Sequence, residues 1–126
     1  MFILKPELGI PIYRQLIDQV RRMVASGQLA PGTVLPSVRE LADAHTVHPM
    51  TISKAYSQLE AEGLLERNRG KPMTVASSQK PQAGIAPRLK QIEPQVEQLV
   101  LASRQLDLRE KDVTGLIKRK WEQDHE

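Results

Sequence analysis

Cysteine is absent from this 126-residue chain, and aromatic residues make up only 3% of it. Without cysteine the chain has no disulfides, thiolate metal sites or cysteine nucleophiles. The few aromatic side chains predict an aliphatic core and argue against the stacking platforms that bind single-stranded nucleic acid. No apolar run approaches the roughly 18 residues of a membrane-spanning helix, and Met1 to Pro6 is too short for a signal peptide. We therefore expect a soluble, cytoplasmic protein without a membrane partner.

Motifs for catalysis, metals and cofactors are missing as well. No serine lies in a nucleophile elbow, and the chain has neither a phosphate-binding loop nor a dinucleotide fingerprint. His45 and His48 lie three residues apart with Asp43 near, but positions in a turn and on an outward surface explain the two histidines better than a metal site does. We expect no enzyme activity, no metal and no cofactor.

Basic residues are present in a mild excess that is spread along the chain. Residues 1–76 carry nine basic and seven acidic residues, and residues 77–126 carry nine and eight. The formal net charge is +3 at pH 7. This balance permits an anionic partner without demanding one. Any surface that binds an anionic partner such as DNA would therefore have to come from local clustering of basic side chains.

Residues 1–76 have the element order of a winged helix-turn-helix. The pattern predicts a first helix over Pro11–Gly27, a capping box at Ser37–Glu40 before a short second helix, and a third helix over Pro49–Gly63. Residues 64–75 then read as a β-hairpin with a basic tip. On the third helix we expect an inward apolar face with Tyr56 at its edge. Residues 32–36 are β-favouring and predict a brief strand or extended arm.

The outward side chains of the third helix are small or basic, which suits a helix that enters the major groove of DNA. Arg39 on the preceding helix is placed to reach a base edge or the backbone. The hairpin tip would enter or flank the minor groove. The side chains that we expect to contact DNA are Arg39, His48, Pro49, Met50, Thr51, Ser53, Lys54, Ser57, Arg69, Gly70 and Lys71.

A linker is predicted over residues 77–84, where small and polar residues surround a proline. Beyond it, apolar residues recur at alternating steps of three and four, the spacing of a helix-pairing seam that also includes Ser103. This helix either kinks at Pro94 or begins there. Asp107–Glu110 has the pattern of a second capping box and is expected to open a final helix.

Two such helices cannot easily bury their apolar stripes alone, so we expect a second copy of the chain to cover them. We predict a mainly α-helical chain with a small β-hairpin wing. It comprises a winged helix-turn-helix DNA-binding domain over 1–76, a linker over 77–84 and a two-helix dimerisation region over 85–126. The residues expected in the dimer interface are Leu89, Ile92, Val96, Leu99, Leu106, Val113, Leu116, Ile117 and Trp121.

Six short motifs in the first half of the chain occur in a specific order. They are Pro11-Ile12-Tyr13, Gly27-Gln28-Leu29, Pro31-Gly32, Leu35-Pro36-Ser37-Val38-Arg39-Glu40-Leu41-Ala42, Thr51-Ile52-Ser53-Lys54-Ala55-Tyr56 and Leu59-Glu60-Ala61-Glu62-Gly63-Leu64. With them, residues 11–75 resemble the DNA-binding domain of the GntR family of bacterial transcription regulators.

The resemblance implies particular DNA contacts. It implies that Arg39 contacts bases, and that the residues opening the third helix and the wing glycine, Gly70, touch DNA. Many family members carry a longer side chain or asparagine where this chain has Met50, so this position departs from the family pattern.

The region after residue 76 is similar in pattern and length to the short YtrA-type subfamily. In that subfamily two C-terminal helices dimerise, and members often repress neighbouring ABC-transporter operons. The resemblance implies a homodimeric repressor of a nearby operon that binds a palindromic operator. The 50 residues after position 76 leave no room for the family's usual ligand-binding domain, so the existence of a small-molecule effector stays open. Two alternatives also stay open: a winged-helix module that binds proteins, and a small-molecule sensor.

Overall fold

The computed structural model describes residues 1–79 and 84–124 and divides the chain into two compact units, Met1–Gly84 and Ile85–Glu126. In the described residues, the first unit holds three α-helices and a two-stranded hairpin, and the second holds two α-helices. This composition confirms the predicted fold class. Within these same residues no helix is both long and apolar enough to cross a membrane.

Three helices form the framework of the first unit. After a 3-10 helix over Pro6–Leu8, α1 spans Ile12–Ser26, α2 spans Val38–His45 and α3 spans Pro49–Ala61. Helix α1 ends at Gly27, whose φ of 88° lies in the left-handed region that glycine adopts at little cost. The predicted helices are therefore confirmed to within one or two residues at each end.

A small antiparallel hairpin follows α3. Strand β1 spans Leu65–Glu66 and β2 spans Thr74–Val75, with Leu65 opposite Val75 and Glu66 opposite Thr74. The predicted extended arm forms a single bridge between Val34 and Thr74. We call residues 65–75 the wing.

The core of the first unit is aliphatic, as the shortage of aromatic residues predicts. Helices α1 and α3 pack against each other, and α2 packs against α3. The side chains of Leu16, Val20, Ile52 and Leu59 are completely shielded from solvent. Burial of such side chains stabilises the folded chain by about 1.5–3 kcal/mol each.

Tyr56 is buried rather than lying at the edge of the inward face, so the expectation for this side chain is wrong. Its hydroxyl donates a hydrogen bond to the carbonyl oxygen of Pro36 at 2.7 Å, and the residue is 2% exposed. Burial raises the pKa of the Tyr56 hydroxyl above its ordinary value, and the nearby Glu40 carboxylate acts in the same direction. The bond ties α3 to the segment that precedes α2.

Replacing Tyr56 by phenylalanine is expected to lower the free energy of unfolding by about 1–3 kcal/mol, because the Pro36 carbonyl then lacks its protein partner. Urea denaturation followed by circular dichroism measures this change. Tyr13→Phe is the matched control, since the Tyr13 hydroxyl forms no hydrogen bond with the described residues. Equal urea midpoints for Tyr56→Phe and the unaltered chain would contradict the assigned role.

In the second unit, α4 spans Ile85–Gln105 and α5 spans Glu110–Asp124. Pro94 lies inside α4, so the alternative that this helix begins at Pro94 is wrong. Proline has no N–H, and the helix therefore lacks one backbone hydrogen bond in its middle.

The predicted capping box at Asp107–Glu110 is wrong. Asp107 has a φ of 57° and closes α4, because its amide donates to the Arg104 carbonyl while the Leu108 amide donates to the Ser103 carbonyl. These two bonds are those of a Schellman motif. Helix α5 is instead capped by the Asp112 carboxylate, which accepts from the Arg109 amide at 3.0 Å.

The first residues of the predicted linker belong to the first unit and are hydrogen-bonded to the wing and to the turn after α3. The Ser77 amide donates to the Glu66 carboxylate at 3.1 Å, and the Gln79 side-chain amide donates to the Gly63 carbonyl at 3.1 Å. Residues 80–83 of the predicted linker lie outside the described residues.

Candidate nucleic-acid interface

The corner between α2 and α3 is built by local hydrogen bonds. Ser37 and Glu40 form the predicted capping box, in which the Glu40 amide donates to the Ser37 hydroxyl at 3.0 Å. Thr46 ends α2 with a φ of 53°, and His48 then caps the start of α3. The corner therefore presents the first turns of both helices with defined geometry.

Arg39 is the second residue of α2 and is exposed. Its guanidinium forms no hydrogen bond or ion pair with residues 1–79 or 84–124. The capping box of Ser37 and Glu40 fixes the backbone around Arg39, and the Arg39 side chain remains available for a partner. Because a guanidinium carries a planar fork of donors, it matches the O6 and N7 acceptors of guanine.

His48 combines a structural bond with an outward donor. Its Nδ1 accepts a hydrogen bond from the Met50 amide at 3.1 Å, so Nδ1 carries no proton in this arrangement. The neutral imidazole then has its proton on Nε2, and the side chain is exposed. One ring nitrogen thus stabilises the first turn of α3 while the other can donate to a DNA oxygen or ring nitrogen.

The other predicted contact residues of α3 differ in exposure. Met50, Lys54 and Ser57 are exposed, as is Pro49 at the helix start, whereas Thr51 and Ser53 are half-buried. The structure thus leaves most of this set accessible along α3.

Lys54 lies over the ring of Tyr13, with 4.4 Å between Nζ and the ring centroid. This cation–π contact holds a predicted DNA-contacting cation in place. The role of Tyr13 is not visible in the sequence, because the two residues are 41 positions apart. Beside them is a groove of about 260 Å³ lined by Tyr13, Arg14, Ile17, Arg21, Lys54 and Gln58.

The tip of the wing is a tight turn with a basic surface. The Lys71 amide donates to the Asn68 carbonyl at 2.9 Å, and the Asn68 side chain donates to the Thr74 hydroxyl at 3.0 Å. Gly70 occupies the third turn position with a φ of 71°, which favours glycine. Arg69 and Lys71 are exposed and have no ion-pair partner among the described residues.

Two other arginines of the first unit serve the fold. Arg21 donates from Nε to the Glu62 carboxylate at 2.9 Å and so joins α1 to the end of α3. This hydrogen bond lowers the pKa of Glu62 below its ordinary value. Arg67 donates to the Glu60 carboxylate at 3.3 Å. Arg39, Arg69 and Lys71 have no such partner among the described residues, and neither do Arg14 and Arg22 on α1.

The second unit exposes its apolar stripes. Eight of the predicted interface side chains are exposed, and the ninth, Val113, is half-buried. Exposed fractions reach 69% for Trp121 and 71% for Leu106. Large apolar patches on a folded chain mark interaction surfaces. The exposed set is Leu89, Ile92, Val96, Leu99, Leu106, Leu116, Ile117 and Trp121.

Comparison with known proteins identifies the family. Residues 12–75 match the family described as bacterial regulatory proteins, gntR family. The chain is also 37% identical over 101 residues to the HTH-type transcriptional repressor YtrA of Bacillus subtilis, which covers 80% of this chain and 77% of that protein. The chain belongs to the GntR family. Membership of this family of transcription regulators confirms that the chain is a DNA-binding regulator and not an enzyme.

Two solved structures extend the comparison. YtrA from Sulfolobus acidocaldarius, a GntR-family transcription factor, has a TM-score of 0.54 and 30% identity, over 81% of this chain and 98% of that one. The DNA-binding domain of AraR in complex with operator ORX1 has a TM-score of 0.51 and 29% identity, over 59% of this chain and 92% of that one. The similarity to a YtrA-type GntR regulator confirms the predicted subfamily.

Proposed function

We propose that this GntR-family chain is a homodimeric repressor that binds a near-palindromic operator in double-stranded DNA. The observation that carries the proposal is the placement of exposed side chains without intrachain ion pairs on α2 and the wing tip, represented by Arg39, Arg69 and Lys71. The proposal is supported by the AraR domain, which is similar over 59% of this chain and was solved with an operator.

Each part of this surface has a distinct role in the proposed complex. Arg39 forms a bidentate contact with guanine in the major groove. His48 donates from Nε2, and Lys54, supported by Tyr13, contacts a phosphate. The wing tip lies against the minor groove and its phosphates, where Gly70 permits close approach.

Dimerisation follows from the apolar stripes of α4 and α5. A second copy covers them and places two DNA-binding units on one duplex. Half-sites then lie about one helical turn apart, because the two units enter successive major grooves on the same face of the DNA. Occupation of promoter DNA represses transcription. The proposed target is a neighbouring operon of transporter genes, and the proposed location of the protein is the cytoplasm.

Fluorescence anisotropy of the full-length chain with labelled duplex DNA tests this function, with sedimentation of the same samples to count chains per duplex. We expect affinity that falls steeply with salt, two chains per specific duplex, and competition by DNA from upstream of its own gene. Absence of salt-dependent duplex binding would instead favour the protein-interaction module. A small molecule that raises the melting temperature without altering DNA binding would favour the sensor.

Lys71→Ala is expected to weaken binding to all DNA sequences alike, because its ammonium contacts a phosphate and not a base. Because a dimer carries two copies of Lys71, the slope of log affinity against log salt should shrink by about 1.8, which corresponds to two released counterions. Anisotropy titrations at several salt concentrations measure both effects. Lys111→Ala on α5 removes the same charge outside the proposed DNA surface and should leave the slope unchanged. A loss confined to one base position would contradict the phosphate assignment.

A further inference from the structure

We infer that Met50 determines operator sequence by contacting the C5-methyl group of a thymine in each half-site. This inference rests on the proposed function and specifies one element of its recognition. It concerns the position at which the chain departs from the residues that many GntR-family members carry.

Met50 is the one large apolar side chain of α2 and α3 that is exposed. Its exposed fraction is 68%, whereas Leu41, Ile52 and Leu59 on the same two helices are almost wholly buried. All residues of these helices are described. An apolar side chain left outside the core here is available for a partner and contributes little to the packing of the unit.

The local structure fixes Met50 in the first turn of α3. Pro49 begins the helix, and the Met50 amide donates to His48 Nδ1 at 3.1 Å. The next amide, that of Thr51, donates to the His48 carbonyl at 3.0 Å. The N-terminal residues of a recognition helix are the ones that contact base edges. The backbone of Met50 is therefore fixed in the first turn of α3, from which the thioether side chain can reach the bases.

The apolar thioether of Met50 favours contact with the methyl group of thymine over contact with the hydrogen-bonding groups of the bases. A thioether has no N–H or O–H donor, and its sulfur is a weak acceptor. In the major groove, adenine, guanine and cytosine present hydrogen-bonding groups, whereas thymine also presents a methyl group. Contact between Met50 and this methyl removes apolar surface of both from water. A base without the methyl leaves the thioether without an apolar partner.

The test compares thymine with deoxyuracil, which differs only by lacking the C5-methyl group. An operator is first selected from random duplexes with the full-length chain. Each thymine of a half-site is then replaced by deoxyuracil in turn, and affinities are measured by anisotropy. We expect one position at which the replacement weakens binding about fourfold, the factor that burial of one methyl-sized apolar group contributes.

Three variants distinguish a direct contact from other effects. Met50→Ala should bind the thymine operator more weakly and lose its sensitivity to deoxyuracil at that position, whereas Met50→Leu should keep the sensitivity. Leu8→Ala truncates another exposed apolar side chain outside α2 and α3 and should behave as the unaltered chain. Met50 is exposed, so its truncation is not expected to affect folding.

The outcomes separate the inference from the function on which it rests. If an operator is selected but deoxyuracil affects the unaltered chain and Met50→Ala equally at every position, the inference is overturned while the repressor function stands. If no operator is selected by the chain, the proposed function fails and the inference fails with it. Loss of deoxyuracil sensitivity in Met50→Ala alone establishes the contact.

Discussion

Replacing both Leu99 and Ile117 by glutamate is expected to yield a folded monomer that binds its operator about 100- to 10,000-fold more weakly. Both side chains belong to the predicted interface, and their exposed fractions are 38% and 43%. In a dimer each glutamate would be transferred from water into an apolar contact without a partner, which is strongly unfavourable. A monomer loses the second half-site contact and with it the gain from bivalent binding.

Sedimentation velocity measures the oligomeric state of this variant, and anisotropy measures its operator affinity. The matched control is Gln98→Glu with Gln123→Glu, which adds the same two charges to α4 and α5 at exposed positions outside the stripes. This control should sediment as a dimer and bind the operator normally. A Leu99→Glu, Ile117→Glu variant that remains a dimer with unchanged affinity would refute the interface.

Arg39→Ala is expected to lower operator affinity about 5- to 150-fold per half-site, equivalent to about 1–3 kcal/mol for each Arg39 contact, and to relax the preference at the base that Arg39 reads. The effect is large because a bidentate contact with guanine is lost from a surface that faces the DNA. The fold should not change, since the side chain has no hydrogen bond to any described residue.

Anisotropy with operator duplexes altered at single positions measures both affinity and preference. Arg39→Lys is the informative control because lysine retains the charge but lacks the planar fork of donors. It should retain nonspecific, salt-dependent binding while losing part of the base preference. Unchanged affinity and base preference in Arg39→Ala would remove Arg39 from the base-reading surface.

The features that the sequence predicts well depend on residues close together in the chain. The Ser37–Glu40 capping box forms as expected because both partners lie within one helical turn. Gly27 ends α1 as predicted, since its positive φ is a property of one residue. The order of helices and hairpin follows from the same kind of local signal.

The features that the sequence does not reveal depend on distant contacts or on competition between local motifs. The Tyr56 hydroxyl is satisfied in the core by the Pro36 carbonyl, and Lys54 is positioned by Tyr13; a periodic pattern indicates neither contact. Asp107 has the spacing of a helix-capping residue but closes the preceding helix instead. The Schellman hydrogen bonds pair two backbone carbonyls in the last turn of α4. The Asp112 carboxylate caps the start of α5.

Selection of the purified full-length chain against random DNA duplexes at physiological salt, followed by sequencing, tests directly whether the chain recognises an operator as a dimer. We expect a near-palindrome with fixed spacing, in which the half-sites lie about one helical turn apart. Half-sites should contain a guanine read by Arg39 and a thymine read by Met50. Recovery of no enriched sequence would contradict sequence-specific DNA binding, and enrichment of a single half-site without symmetry would contradict recognition by a dimer.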